Sequence, residues 1–371
     1  MNLLLNASNL RHGGGKTVAL QLIDGIARFR PQDRFYVIIP LQAEFQELRQ
    51  YSNIVLLELP EFFHHSWHHK IAYNHNVFSE WCRQYKIDKI ISLGNVAFPA
   101  NGIPQLVYIQ LPHLVYPEVS LRKTGGFQAY WRNRMMVKYV SWHLRYATAV
   151  ALQTEVMEVR FLTRFPDFRG PVFILPNAAY NLPGQEIKPI QLPLRSLRLL
   201  FLSRYYPHKG FEILPKIGRL LRQKNIPVQI HLTLDTKEAL GAARVLRQLK
   251  HSYNISNRGP IALKDLGRIM EEYDGVFLPS FMESHSGAYA EALQHRRLIF
   301  TSHFDFATAL LGSAGIYFDP LKPDTIVSAF ENVVNNENYV KEKLRSIEAA
   351  AKKAPEIEDV IRRFSEIIDA F

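Results

Sequence analysis

The sequence holds one cysteine, Cys82, in 371 residues. One thiol excludes an internal disulfide and any cysteine-based metal cage, and it fits a reducing compartment, so a cytoplasmic location is expected. No uninterrupted apolar run approaches the roughly 18 residues that would span a bilayer. Met1 to Leu5 run directly into Asn6, Asn9 and the glycines 13–15, a pattern that does not read as a signal peptide. Several nucleotide signatures are also missing. There is no GxGxxG, the glycines before Lys16 lack the spacing of a P-loop, and no Asp-x-Asp pair stands at a strand end to hold a metal. The span from Val119 to Thr154 contains no Asp or Glu.

What is present is ordinary for a soluble globular chain: 47% hydrophobic and 21% charged residues. The length suits two domains better than one core. A net charge of +11 points to an anionic partner, whether nucleic acid, phospholipid or a phosphorylated substrate. The acid-free span carries Arg122, Lys123, Arg132, Arg134, Lys138 and Arg145, so the charge is concentrated on a surface. His64, His65, His68 and His69 form a cluster that reads better as a polar loop than as a metal site.

Short apolar runs alternate with helical patterns along the chain, the mark of parallel, doubly wound sheets. Strands are expected at Asn2–Leu5, Phe35–Ile39, Ile54–Leu59, Lys89–Leu93, Leu106–Ile109, Ala147–Gln153 and Phe173–Leu175. A proline-containing stretch, Asn181–Pro193, reads as a linker. A second series follows at Leu197–Leu202, Gln229–Leu234, Gly275–Leu278, Leu298–Thr301 and Ile316–Phe318. Helices are expected at Thr17–Phe29, Asn76–Tyr85, Phe127–Tyr146, Glu212–Lys224, Lys237–Leu249, Leu263–Tyr273, Ala288–Leu293, Asp324–Asn335, Val340–Ala350 and Ile357–Phe371. Thr154 is placed as an N-cap. On the helix Phe127–Tyr146, Trp131, Met135, Tyr139, Trp142 and Tyr146 fall within about 80° of one another, flanked by Arg134, Lys138 and Arg145. Such a stripe fits an interfacial helix and equally a helix packed between core and solvent.

Three clusters carry chemistry. Gly13 to Gly15 make a turn through which backbone can approach a ligand closely. Arg204 and Lys209, five apart after a strand and followed by Gly210, can converge on one diphosphate, the first as a fork and the second as a point charge. Glu283 and Glu291 flank a strand–loop–helix junction. Eight residues of helix span about 12 Å, too far for a shared proton but suited to the two ends of a long polar ligand.

The last two clusters resemble the Arg-x4-Lys and Glu-x7-Glu elements of the retaining, glycogen-synthase-like "group 1" glycosyltransferases (family 4 type). The resemblance extends over nearly the whole chain. Ser284, Ser286, His285 and Ala288 depart from the residues usual there, which leaves sugar specificity open. The resemblance implies a GT-B fold: two Rossmann-like doubly wound domains facing across a cleft, with the C-terminal helix crossing back. The expected divisions are 1–185 for acceptor binding, 186–355 for the nucleotide sugar, and 356–371 for the returning helix. It implies a metal-independent, retaining hexosyltransferase without a cofactor, in which a nucleotide diphosphate sugar is the donor. Glu283 and His113 are the implied catalytic pair, with Gln110 as a rival to His113. Arg204, Lys209, Glu291, Ser286, Gly287, Gly14, Gly15 and Ile261 are the implied donor contacts. The acceptor is expected to be a glycan or a lipid-linked sugar, as in lipopolysaccharide, capsule or other polysaccharide assembly. Peripheral contact with the inner face of an anionic plasma membrane is expected, and nucleic acid is not. The alternatives are a nucleotide-sugar epimerase of the same layout and a non-enzymatic basic binding module.

Overall fold

The computed structural model describes residues 1–371 except 12, 41–42, 60–76, 101, 118–121, 180–186 and 238–239. The histidine cluster and the first part of the expected linker, 181–186, therefore lie outside the described residues.

The chain divides into two compact units. The first comprises Met1–Val115, Asn133–Asn177 and Pro355–Phe371, and the second Tyr116–Arg132 and Ala178–Ala354. Strands of the first unit are β1 (Asn2–Asn6), β2 (Arg34–Ile39), β3 (Ile54–Glu58), β4 (Lys89–Ser92), β5 (Gln105–Ile109), β6 (Ala149–Leu152) and β7 (Val172–Ile174). Those of the second are β8 (Leu197–Phe201), β9 (Val228–Leu232), β10 (Ile255–Asn257), β11 (Gly275–Leu278), β12 (Leu298–Ser302) and β13 (Gly315–Phe318). Each set forms one sheet, in the orders β3-β2-β1-β4-β5-β6-β7 and β10-β9-β8-β11-β12-β13. Every pairing is parallel. Central strands such as Leu3–Leu5, Leu106–Ile109 and Leu298–Phe300 are wholly buried, because helices cover both faces of a parallel sheet and leave no solvent side.

The helices, in chain order, are α1 (Gly14–Phe29), α2 (Ala43–Gln46), α3 (77–84), α4 (Arg122–His143), α5 (Glu155–Arg164), α6 (Leu214–Gln223), α7 (Leu240–Gln248), α8 (Leu266–Met270), α9 (Gly287–Gln294), α10 (Asp305–Leu311), α11 (Pro323–Asn335), α12 (Glu337–Ala351) and α13 (Ile357–Ala370). α4 is unbroken and runs into a 3-10 turn at Leu144–Tyr146. Thr154 caps α5 as expected, its hydroxyl accepting from the Met157 amide at 3.2 Å.

The C-terminal helix α13 belongs to the first unit and packs along α1. Gly25 makes that approach possible, since a Cβ there would sit 2.4 Å from the end of Ile361. Polar ties fix the register: Arg30 donates to Ser365 at 2.9 Å and to Asp369 at 2.8 Å, and Lys89 donates to the Ile368 carbonyl at 2.7 Å.

Some element ends differ from expectation. The helix expected from Glu212 starts at Leu214, after a 3-10 turn at Phe211–Ile213. The one expected over Leu263–Tyr273 divides into a 3-10 turn and the short α8. β10 and α10 were not anticipated at all: three residues carry too little alternation to read as a strand, and α10 begins within what reads as a loop. No helix among the described residues is long and apolar enough to cross a membrane.

Candidate active site

Both sheets reverse their strand order between the first and fourth strand of the unit, and ligands of open α/β sheets bind outside the carboxyl ends of strands at such a reversal. In the second unit the reversal lies between β8 and β11. Arg204 and Lys209 follow β8, and Glu283 follows β11.

The two loops are locked together by backbone. Gly210 adopts φ +77°, and a Cβ on it would lie 2.2 Å from the Pro279 carbonyl oxygen, so only glycine fits. The Phe281 amide donates to the His208 carbonyl at 2.8 Å across the same gap. Aromatic packing supports the first loop from below, with Phe201 stacked on Phe211 at 4.1 Å. The Tyr205 ring lies against Gly241 of α7, and its hydroxyl donates to Glu212 at 2.5 Å. Burial and the Glu212 carboxylate push that phenol up to about 12. Arg204 is half-buried on this support.

The clamp brings Lys209 Nζ to 2.5 Å from Glu283 Oε1, and both side chains are largely buried. A buried pair of this kind is weak evidence for stability, because desolvation offsets most of its attraction. Its chemical meaning is that a cation suited to a phosphate and a carboxylate suited to sugar hydroxyls occupy adjoining positions.

α9 begins immediately after. Ser286 is its N-cap residue but makes no side-chain cap hydrogen bond; its carbonyl accepts from the Tyr289 amide at 3.0 Å, and no side-chain cap competes with water or an anion for the amides before it. Gly287 faces open space, with no atom within 4 Å of a Cβ built there. Tyr289 anchors the helix, its hydroxyl 2.6 Å from that of the buried Thr301 on β12. One turn on, Glu291 is buried. His285 is buried too, and loss of hydration pushes its imidazole down to about 4, so it is neutral at pH 7. Ile261 follows β10, two strands from β8 or about 10 Å across the sheet. Asn257 holds that edge by exchanging hydrogen bonds with Leu234 at 2.9 and 3.0 Å.

In the first unit the reversal lies between β1 and β4. Gly13 takes φ +77° to enter α1. Gly14 has open space beside it, whereas a Cβ on Gly15 would lie 3.2 Å from the Leu10 side chain and 3.7 Å from that of Gln110. Gln110 is tied down, its amide donating to Asn95 at 2.5 Å and its side chain to the Leu93 carbonyl at 3.2 Å. Gln110 is thus a floor for the glycine turn. His113 lies in a 3-10 turn after β5, and burial pushes it down to about 4.

Among the described residues, no three His, Cys, Asp or Glu side chains are grouped to hold a metal ion. Cys82 is buried and its thiol is pushed up to about 12, which leaves it inert. Sequence reasoning paired Lys209 with a phosphate and Glu283 with a sugar but did not anticipate their direct contact. It also missed the Gly210–Pro279 clamp, for which Gly210 after Lys209 was the only signal.

No protein-family model matches the chain, and no curated protein matches it by sequence. Solved structures do. The sucrose-phosphate synthase of Thermosynechococcus elongatus aligns over 100% of this chain and 98% of its own, at 13% identity and a TM-score of 0.73. Anabaena HepE, solved with UDP and glucose, covers 100% of both chains at 16% identity and a TM-score of 0.71. TarM of S. aureus, solved as a variant with fondaparinux, alpha-GlcNAc-glycerol and UDP, covers 99% of both at 10% identity and a TM-score of 0.69. With two parallel sheets of the same reversed order and a C-terminal helix returned to the first unit, the chain has the GT-B fold of these glycosyltransferases.

Proposed function

We propose that the chain is a group 1, family 4 type, retaining glycosyltransferase that moves a hexose from a nucleotide diphosphate sugar to a glycan or lipid-linked acceptor. The observation that carries this reading is the contact between Lys209 and Glu283 at the β8/β11 reversal. As the sugar–phosphate bond breaks, negative charge grows on the departing diphosphate and positive charge on the anomeric carbon. Lys209, Arg204 and the uncapped amides at Ser286–Gly287 meet the first with fixed charge and dipole. The Glu283 carboxylate meets the second and orients the sugar hydroxyls. The acceptor hydroxyl then attacks from the face the diphosphate leaves, and its proton passes to the departing phosphate oxygen, so configuration is retained without a covalent enzyme intermediate. Glu291 takes the ribose and the backbone near Ile261 the base. The same reading assigns phosphate contact to Gly14–Gly15 and a sugar contact to His113.

Diphosphate charge in this account is neutralised by side chains and amides, so neither a metal nor a cofactor is required. HepE and TarM were solved with UDP, which makes UDP-hexoses the first donors to try. The reading places the enzyme in the cytoplasm, in polysaccharide assembly such as that of lipopolysaccharide or capsule.

The test is release of UDP from UDP-hexoses in the presence of a chelator, with and without glycan acceptors, followed by NMR of the product's anomeric proton. Acceptor-stimulated release with an α-configured product supports the reading. Release that stops with chelator refutes metal independence, and an inverted product refutes retention. Absence of both turnover and nucleotide binding refutes the whole assignment in favour of a basic binding module.

A further inference from the structure

The charge of the chain is gathered in one stretch of the second unit. Residues 195–268 hold 15 Lys and Arg against 4 Asp and Glu, a surplus of 11 that equals the net charge of the whole chain. The rest of the sequence is balanced, with 30 of each (45 − 15 and 34 − 4). Two of the fifteen bases, Arg204 and Lys209, belong to the candidate site. Six others stand on or just after two neighbouring helices.

β8, β9 and β10 lie side by side in that order. Right-handed crossovers between successive parallel strands therefore put α6 and α7 on the same face of the sheet, about 8–10 Å apart. On α6 the buried residues Leu214, Ile217, Gly218 and Leu221 define the core side. At about 100° per residue, Lys216 and Arg219 point about 150° away from its centre, with Arg222 on the flank. α7 repeats the arrangement: Ala242 and Val245 are buried, and Arg244 and Arg247 point about 130° and 170° away from them. Lys250 follows the end of α7. All six bases are exposed, and within each helix they recur every three residues, about 4.5 Å along the axis. Among the described residues, Arg222 lies 5.4 Å from the centre of the Tyr253 ring and Arg244 pairs with Glu212 at 3.6 Å. Lys216, Arg219, Arg247 and Lys250 have no such partner there. Like charges one turn apart weaken a helix, so the double ladder works against folding, and its use lies in what it meets.

Three partners do not fit. A second copy would set the bases against themselves, since a two-fold contact repeats one patch on itself. A helix seated on a bilayer turns apolar side chains towards the acyl boundary, and no described residue of α6 or α7 exposes a large apolar one. A nucleic-acid single strand stacks its bases on aromatic rings between the cations. Beside this ladder the exposed ring is that of Tyr253, at one end, and Arg222 already lies over it. What fits is a polyanion that is hydrophilic throughout and has no bases to stack. We propose that the outward face of α6 and α7 is a docking surface for an acidic polysaccharide, whose anionic groups pair with Lys216, Arg219, Arg247 and Lys250. The proposal rests on charge and placement and stands whether or not the transferase reading does.

The test is binding of the full chain to labelled polygalacturonate, dextran and poly(U), compared at equal sugar or charge concentration, and to phosphatidylglycerol vesicles. The wild type is expected to bind polygalacturonate and not neutral dextran, with log affinity falling linearly as log salt rises. Lys216→Gln/Arg219→Gln/Arg247→Gln removes three exposed ion pairs and should weaken binding about tenfold. Arg83→Gln/Arg345→Gln/Lys353→Gln removes the same charge from exposed positions elsewhere and should bind as the wild type does. Melting temperatures that match the wild type are the folding control for both. Equal affinities of the two triple variants overturn the surface, as does a wild type that ignores polygalacturonate. Tighter binding of poly(U) than of polygalacturonate overturns the proposal in favour of nucleic acid, and binding to the vesicles alone overturns it in favour of a bilayer.

Discussion

The clamp between Gly210 and Pro279 should control both stability and the site, and Gly210→Ala tests it. The left-handed conformation at φ +77° costs a non-glycine residue about 1–2 kcal/mol. The new methyl would stand 2.2 Å from the Pro279 carbonyl oxygen. Relieving that to ordinary contact separates the two loops by about 1 Å, a forced shift worth about 1–3 kcal/mol. The unit should therefore lose about 2–5 kcal/mol, and its melting midpoint should fall by roughly 5–15 °C. The Lys209–Glu283 contact of 2.5 Å spans the same two loops, and a displacement of about 1 Å at a reacting centre costs about a hundredfold in rate. Gly312→Ala is the control. It also has positive φ but open space around it, so it incurs only backbone strain of about 1–3 kcal/mol and should keep activity. Melting curves and turnover are measured for both. A Gly210→Ala protein that melts with Gly312→Ala and retains nucleotide binding and turnover would refute the clamp.

At the α1–α13 contact, Gly25→Ala gains about 1 kcal/mol of helix propensity but overpacks against Ile361 at a cost of about 1–3 kcal/mol, for a net loss of up to about 2 kcal/mol by chemical denaturation. Ile361→Ala should cost about 2–5 kcal/mol alone, and the double variant less than the sum, because the methyl then has room. Burial holds His285 near 4, below the value of about 6.5 in the unfolded chain. The unfolded state therefore takes up a proton first, so stability is complete above pH 6.5 and is lost as pH falls towards 4, by up to about 3 kcal/mol. Denaturation of the wild type and His285→Leu from pH 7.5 to 4.5 checks this, and the variant should show the shallower decline.

Much of the fold could be read from the sequence because its strands are buried on both faces. Leu3–Leu5, Val276–Leu278 and Leu298–Phe300 stand out as dense apolar runs, and β11 was located to the residue. Shorter or mixed segments were not legible. The three residues of β10 hold their place through pairing with β9 and the Asn257 side chain, neither of which is a local signal. α6 starts late because its first turn contains Pro215 and is preceded by a 3-10 turn. The stripe on α4 was visible as periodicity, yet only the burial of Val137 and Val140 separates its core face from its exposed one. At the candidate site, residue types and spacing singled out Arg204, Lys209, Glu283 and Glu291, of which the structure brings Lys209 and Glu283 into contact. The contact between Lys209 and Glu283 depends on a carbonyl 69 residues from Gly210 in sequence (279 − 210), a long-range constraint that no local pattern encodes. Gln110 illustrates the same limit: its place after β5 makes it a rival to His113 for the sugar, while the hydrogen bonds that fix it run to Asn95 and Leu93, 15 and 17 residues away in sequence.

The central claim is the division of labour between Lys209 and Glu283, and calorimetric titration with UDP and a UDP-hexose tests it most directly. Lys209→Ala should weaken both ligands, because each carries the diphosphate. Glu283→Gln should bind UDP as the wild type does, since UDP has no sugar, while turnover falls about 100- to 1000-fold. Glu291→Ala should weaken both ligands alike through the ribose. Binding of UDP that is unchanged in Lys209→Ala, or lost in Glu283→Gln as fully as in Lys209→Ala, would contradict the assignment.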